Sequence, residues 1–592
     1  MNSEWSLDAL YKGIDDPALA KDMEKLSAVS ETYMDLTKKL PDPASQTAEE
    51  KVQTLRAVID VKEELTILTR RLGSYFSLRR SANATDAEGS AYLTKIHGIS
   101  ASLSSSHVAF EKYAGSIDDL QTLLDKDEVL KEYHFYFSEI QESVSHRLSD
   151  EAEGIMAQMN ITGGMAWGDQ ANFLASKVKV DYQGEIITLP AVRGMAASED
   201  PAVRKAAFEA EIKAYDLIKD PIAFSLNSIK QQVTMEAKLR GYESPLAMTL
   251  VQSRMKKETL DALMKAMDES LPRFRAYLKQ KAVLLGHKNG LPWYDILAPM
   301  GKPADNASTK YTVEDAKAYL IEHFNHFAPD IAAMMERAFD EGWIDFYPRN
   351  GKRGGAFCSN LPFIQQSRVL TNFTGEFGDV VTLAHELGHA YHGQQIQNCR
   401  PLNWGYSMPV AETASNFNEL VVMNDAIARS TGGEKIRLIE SQVQDCTQII
   451  VDILSRFLFE DAVFSRSKDR FLYADDLCDI MLDAQKQAFG DGLDPEVLHP
   501  YMWCCKTHYY STGRSYYNFP YAFGGLFSRG IYARYLEEGE SFLPKYREML
   551  KATTSASCED VAKIAGIDLT DVNFWRSSLA VIDQGITEFL NY

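Results

Sequence analysis

From Val380 to His392 the chain reads Val-Val-Thr-Leu-Ala-His-Glu-Leu-Gly-His-Ala-Tyr-His. His385 and His389 stand four residues apart, so on a helix both imidazoles leave the same face and can share one metal ion. Glu386, beside the first of them, is then positioned to take a proton from a water at that metal. Two imidazoles, an adjacent carboxylate and an open coordination position are what zinc-assisted hydrolysis of a peptide bond requires.

A tetrahedral catalytic zinc needs a third protein ligand, because its fourth position is kept for water. One large class of zinc peptidases takes it from a third histidine in H-E-x-x-H-x-x-G-x-x-H. That pattern requires glycine at 392 and histidine at 395, where this chain has His392 and Gln395, so the class is excluded. The next helical stretch offers Glu412 and Glu419, seven residues apart and therefore on nearly the same helical face. Glu412 is expected to bind the metal, and Glu419 to stand behind it as the acceptor for a ligand imidazole. Phe417, Leu420 and Val421 mark that helix as buried rather than as a solvated acidic surface. His392 is expected to form a hydrogen bond, not a metal bond. Gly388, in mid-helix, costs about 1 kcal/mol relative to alanine; either another backbone or the substrate comes close there, or the glycine is merely tolerated.

The elements that must hold these residues are mostly helical. Leu19, Met23 and Leu26 fall on one helical face behind Pro17, and similar spacing covers about 47–80, 88–114 and 126–145. After a break at Thr162 to Gly168, residues 177–189 alternate apolar and polar about Gln183-Gly184 and predict a β-hairpin. Further helices are expected at about 200–240, 256–285, 312–340, 410–429, 433–470, 475–488 and 526–590. Phe363 to Phe373 reads as one or two short strands of a small sheet ahead of the metal helix. A free strand edge there would hold a peptide backbone extended; a strand paired on both sides would only support the helix. The expected division is an N-terminal helical domain, 1–195, and a zinc metallopeptidase catalytic domain, 196–592.

The 592 residues are 45% apolar and 24% charged, ordinary globular material. A formal net charge of −21 argues against nucleic acid, whose phosphates require clustered Lys and Arg. The amino terminus has neither a basic start nor an apolar run, and no later stretch reads as a membrane span. Seven cysteines, odd in number and without C-x-x-C spacing, are expected as reduced thiols. The expected location is the cytoplasm.

Together, His385-Glu386-Leu387-Gly388-His389 and Glu412 to Glu419 resemble the oligoendopeptidase F family, relatives of thimet oligopeptidase and neurolysin. His146 to Ser149, Thr162 to Trp167 and Tyr294 to Pro299 agree with that resemblance, which runs from about residue 140 to the end. It implies a mainly α fold, a two-part helical shell around a deep substrate channel that admits unfolded oligopeptides. It also implies one zinc ion per chain on His385, His389 and Glu412, with Glu386 as general base. Family members place a histidine and tyrosines from a late segment over the substrate, which here implies His508, Tyr517 and Tyr521 as donors to the oxyanion. Phe519 stands where many relatives have tyrosine, and Pro520 interrupts the tract. Two rival functions stay open: a metallo-carboxypeptidase, and a zinc-dependent peptide binder without turnover. The intact Glu386 opposes the second.

Overall fold

Asp16-Pro17 and Thr47-x-x-Glu50 start the first two long helices in the way their sequences prescribe. Asp16 accepts the Ala18 N–H and Pro17 opens helix Pro17–Lys38. Thr47 and Glu50 form a reciprocal capping box on the 35-residue helix Ala48–Ala82. The computed structural model describes residues 2–300 and 310–592. It is 71% helix and 4% strand, the mainly α fold with a small sheet beside the metal helix and a hairpin that the sequence predicts. Among the described residues no helix is long and apolar enough to cross a membrane. Two compact units are present, each assembled from separated stretches, whereas the expected boundary at 195/196 divides the chain once.

One unit is Met1–Arg147, Ser308–Val422 and Arg534–Gly566. Its N-terminal helices bury Leu55, Ile59, Leu72 and Phe76, and the same core takes in Leu361 and Leu370 from a three-stranded sheet. With β1 (Lys179–Tyr182) and β2 (Glu185–Thr188) forming the hairpin of the other unit, this sheet contains β3 (Ile344–Asp345), β4 (Phe357–Leu361) and β5 (Gln366–Leu370). The order is β3-β5-β4, with β3 parallel and β4 antiparallel to β5. Side chains alternate across the sheet. Leu361 joins the N-terminal core, while Asn360 points the other way and donates from Nδ2 to the His389 carbonyl, 3.1 Å away. The sheet is therefore a layer between the N-terminal helices and the metal helix, Phe377–Ile396. The strand foreseen within 363–373 is β5, paired on both sides; the free edge belongs to β4, one strand earlier.

The other unit is Leu148–Ala307, Met423–Ala533 and Ile567–Tyr592. Its hairpin turns on Gln183 and Gly184, both at positive φ (53° and 88°), the two-residue turn that matches strand twist. Three buried ion pairs tie its helices: Lys230–Glu460 at 2.6 Å, Lys281–Glu440 at 2.6 Å and Arg204–Asp295 at 2.7 Å. Such pairs add little net stability but leave a costly lone charge if one partner is lost, so they fix which helices meet. Several long helical stretches foreseen in the sequence are subdivided, 200–240 into Pro201–Asp216 and Lys219–Leu239 and 312–340 into Val313–Phe327 and Pro329–Asp340 among them. A π turn, Gln448–Asp452, separates Gly432–Thr447 from Ile453–Arg466. Residues 519–590 form several helices, the first ended by Gly539 at φ +63° and the last started by an Asp571 cap.

Candidate metal centre

The metal helix starts where Asp379 folds back. Its Oδ2 accepts the N–H groups of Thr374, Gly375 and Glu376, within a capping box that fixes the start of the helix, Phe377, eight residues before His385. His385 and His389 then emerge from one face, with ring centroids 5.1 Å apart. Opposite them, a short helix Met408–Ala411 stops at Glu412, and the helix Thr413–Arg429 begins directly after it. The continuous helix expected across 412 is thus broken at the residue that faces the histidines.

Glu412 Oε2 lies 3.4 Å from His385 Nε2 and 3.3 Å from His389 Nε2. Zinc bonds of about 2.0–2.1 Å at tetrahedral angles place ligand atoms about 3.3–3.4 Å apart, which is the spacing of Glu412 from each histidine. All three lie within 4.8 Å of one another, a His-His-carboxylate group that could hold a metal ion. Glu419 Oε2 sits 3.3 Å from His385 Nδ1, on the far side of the ring from Glu412. Ser415 donates to Glu412 Oε2 at 2.7 Å and orients it. Burial alone would raise Glu412, but hydrogen bonds from His385 and His389 hold it well below the usual carboxylate range. Burial alone would lower His385, but Glu412 and Glu419 outweigh it and push it up to about 10. Glu386 is buried, its Oε2 has no hydrogen-bond partner, and burial raises its affinity for a proton.

Gly388 explains how the two helices come this close. A Cβ there would meet the Ala414 carbonyl oxygen at 2.5 Å and the Ser415 Cα at 2.6 Å, so the glycine is required by the neighbouring main chain and not by tolerance. A Cβ at Gly393 would in turn strike the Asn360 side chain at 2.3 Å, which lets β4 lie on the metal helix.

The late segment gathers its own residues within the other unit. Tyr517 and Tyr521 hydroxyls are 3.0 Å apart, and the His508 ring stacks on Tyr517 at 5.7 Å. Arg456 donates to Asn518 Oδ1 at 3.0 Å, which turns the Asn518 amide nitrogen toward His508 Nε2 at 2.5 Å. Burial, with Arg456, Lys506 and Lys230 nearby, pushes His508 down to about 3, so its imidazole is neutral and carries its proton on Nδ1. Tyr516, at φ +51°, is held by Glu460 Oε2, which accepts its N–H at 3.0 Å. Pro520 does not interrupt this tract. It lies in the first turn of helix Phe519–Glu538, where a missing N–H costs nothing.

Residues 194–581 match the model of peptidase family M3, and residues 115–179 match the model named Oligopeptidase F. The chain belongs to peptidase family M3. Oligopeptidase PepF of Bacillus subtilis is 26% identical over 481 residues, 80% of this chain and 70% of that protein. Group B oligopeptidase PepB of Streptococcus agalactiae is 24% identical and covers 91% of this chain and 90% of its own length. The crystal structure of oligoendopeptidase-F from Enterococcus faecium shares the fold at a TM-score of 0.68 and 19% identity, over 96% of this chain and 97% of that one.

In this M3 metallopeptidase the structure brings together His385, Glu386, His389, Glu412 and Glu419 in one unit, and His508, Tyr517 and Tyr521 in the other. Sequence reasoning missed Ser415 and Asn360. Serine three residues after Glu412 is a local signal for orienting that carboxylate; Asn360 contacts the metal helix only through tertiary packing. His392 is fully buried, stacked on Tyr406 at 4.2 Å and within hydrogen-bond distance of Thr553 Oγ1 at 2.8 Å, and takes no place among the metal donors. Burial pushes it down to about 3 from 6.5, so the unfolded chain binds a proton first as pH falls. Stability is therefore lost on acidification through the window from about 6.5 to 3, by about 2 kcal/mol at pH 5 from this group. Thermal melts at pH 7 and pH 5 should show that loss, and His392→Asn should reduce it; an unchanged pH dependence in the variant would refute the assignment. Glu419→Ala is expected to weaken metal affinity about 10- to 100-fold without removing any donor, measured by competition with a chelator of known affinity. Unchanged affinity would show that Glu419 does not support His385.

Proposed function

We propose that this chain is a zinc-dependent oligoendopeptidase that hydrolyses internal bonds of short, unfolded peptides in the cytoplasm. The observation that carries this reading is Glu412 at 3.3–3.4 Å from both His385 and His389, beside a buried Glu386 whose Oε2 has no partner. Zinc bound by the three donors would supply a Lewis acid for the scissile carbonyl and for the attacking water. Glu386 accepts the proton of that water and passes it to the leaving amine nitrogen. His385 is kept in register by Glu419, which accepts its Nδ1–H, and Glu412 by Ser415. The free edge of β4, anchored to the metal helix through Asn360, can pair with an extended peptide main chain irrespective of its side chains. His508, Tyr517 and Tyr521 are assigned as donors to the oxyanion, each worth around 3 kcal/mol when well placed. Their mutual contacts and the neutral state of His508 support that role.

The relatives named oligopeptidase and oligoendopeptidase F support the same substrate class. The test is digestion of a peptide library with free and with blocked ends, with and without chelator, read by mass spectrometry. Internal cleavage of end-blocked peptides, abolished by chelator and restored by zinc, is expected. Release of single residues from free carboxyl ends alone would make the chain a carboxypeptidase. Stoichiometric zinc without any cleavage would make it a binding protein.

A further inference from the structure

The unit that contains the hairpin also encloses a cavity of about 350 Å³, lined by none of the residues of the metal centre. Its volume lies at the small end of ligand sites, enough for one amino acid or a dipeptide. Phe208, Trp293, Tyr294 and Phe489 line its apolar wall. Phe208 and Trp293 each approach the His499 ring edge-on, at 5.8 and 5.7 Å, and Phe489 packs against Trp293 at 5.8 Å. His499 is 1% exposed, and neither ring nitrogen makes a hydrogen bond; Nε2 comes only within 3.4 Å of Glu211 Oε1. A buried imidazole on a cavity wall with no partner on Nδ1 and only this long contact on Nε2 is costly unless something in the cavity meets it.

The charges on the wall are unevenly satisfied. Arg204 is taken up by Asp295 at 2.7 Å and by the Ser198 carbonyl, and Asp452 by Arg456. Arg193 shares Glu211 at 3.2 Å with His499. Lys506 has no carboxylate partner among the described residues, and burial lowers its affinity for a proton. One cation is therefore left over beside an aromatic surface. The π turn Gln448–Asp452 supplies part of the same wall, and single π turns inside helices are retained mostly at functional sites because they forgo regular hydrogen bonding.

We propose that this cavity binds a small organic carboxylate with an apolar body, its carboxylate on Lys506 and Arg193 and its body against Phe208, Trp293 and Phe489. A polar or cationic group next to the carboxylate meets Glu211 and His499. Free amino acids and dipeptides with one large apolar side chain belong to this class.

The test uses the full chain with L-phenylalanine as probe, in calorimetry and ligand-observed NMR, and L-phenylalaninamide as the partner that lacks the carboxylate. Saturable one-to-one binding of L-phenylalanine is expected, with the amide and Lys506→Met each weaker by about tenfold or more, as loss of a charge-assisted hydrogen bond implies. Ala207→Phe, which fills the cavity from another wall, should abolish binding at an unchanged melting temperature. His389→Ala should retain it, which separates the cavity from capture of the amino acid by bound zinc. If Ala207→Phe does not fold, the amide and Lys506→Met comparisons decide. No saturation in the millimolar range, equal binding of the amide, or loss in His389→Ala alone would overturn the proposal.

Discussion

Replacing Glu386 by Gln lowers kcat/KM on an internally cleaved peptide by about 10²- to 10⁴-fold, the contribution typical of one positioned acid–base group. With His385, His389 and Glu412 as the proposed donors, the variant is expected to keep zinc, since the substituted side chain is nearly the same size. Loss of rate with retained metal is the decisive pattern, and metal content with peptide turnover on the same preparation measures it. Glu386 is 6% exposed and its Oε2 makes no hydrogen bond, so the residue has no structural partner whose loss would mimic the effect. Near-parental turnover with zinc bound would place the base elsewhere.

Gly388→Ala is the second substitution with a large expected effect, and here two physical terms oppose each other. Helix propensity favours alanine by about 1 kcal/mol. The new Cβ, however, would sit 2.5 Å from the Ala414 carbonyl oxygen and 2.6 Å from the Ser415 Cα, both main-chain atoms that no rotamer change can move. Overpacking of this kind costs about 1–3 kcal/mol, so the contact outweighs the propensity. The strain falls where it matters, because Ala414 and Ser415 lie two and three residues after Glu412. Separating the helices pulls the carboxylate from both imidazoles, and a displacement of about 1 Å at a reacting centre costs on the order of a hundredfold in rate. The variant is therefore expected to lose zinc to a chelator concentration that the parent withstands, with a lower melting temperature. Parental zinc affinity and a higher melting temperature would show that propensity governs and that the helix crossing is not tight.

These two substitutions mark what could be read along the chain and what could not. His385, Glu386 and His389 were legible because a helix converts a spacing of four into a shared face, whatever it packs against. Glu412 and Glu419 were legible as a pair for the same reason, although the helix breaks at Glu412 and that break was not foreseen. The mainly helical fold and the hairpin followed from periodicity and turn chemistry, which are local.

What was not legible depends on contacts between residues far apart in sequence. The sequence contained Gly388 but left a neighbouring backbone, the substrate and mere tolerance as explanations for it; only the crossing helix shows that main chain requires it. The sheet was expected, but the free edge falls on β4 and not on the strand predicted from 363–373, since strand order depends on pairing that alternation does not encode. Asn360 on His389, the neutral His508 fixed by Asn518 and Arg456, and the cavity around His499 likewise arise from packing. The sequence by itself determined which atoms can hold a metal and move a proton, because covalent spacing on a helix is enough for that. Only the tertiary structure decided the distances between them, because bringing two helices to 3.3–3.4 Å donor spacing requires a missing Cβ, a supporting sheet and a broken helix acting together.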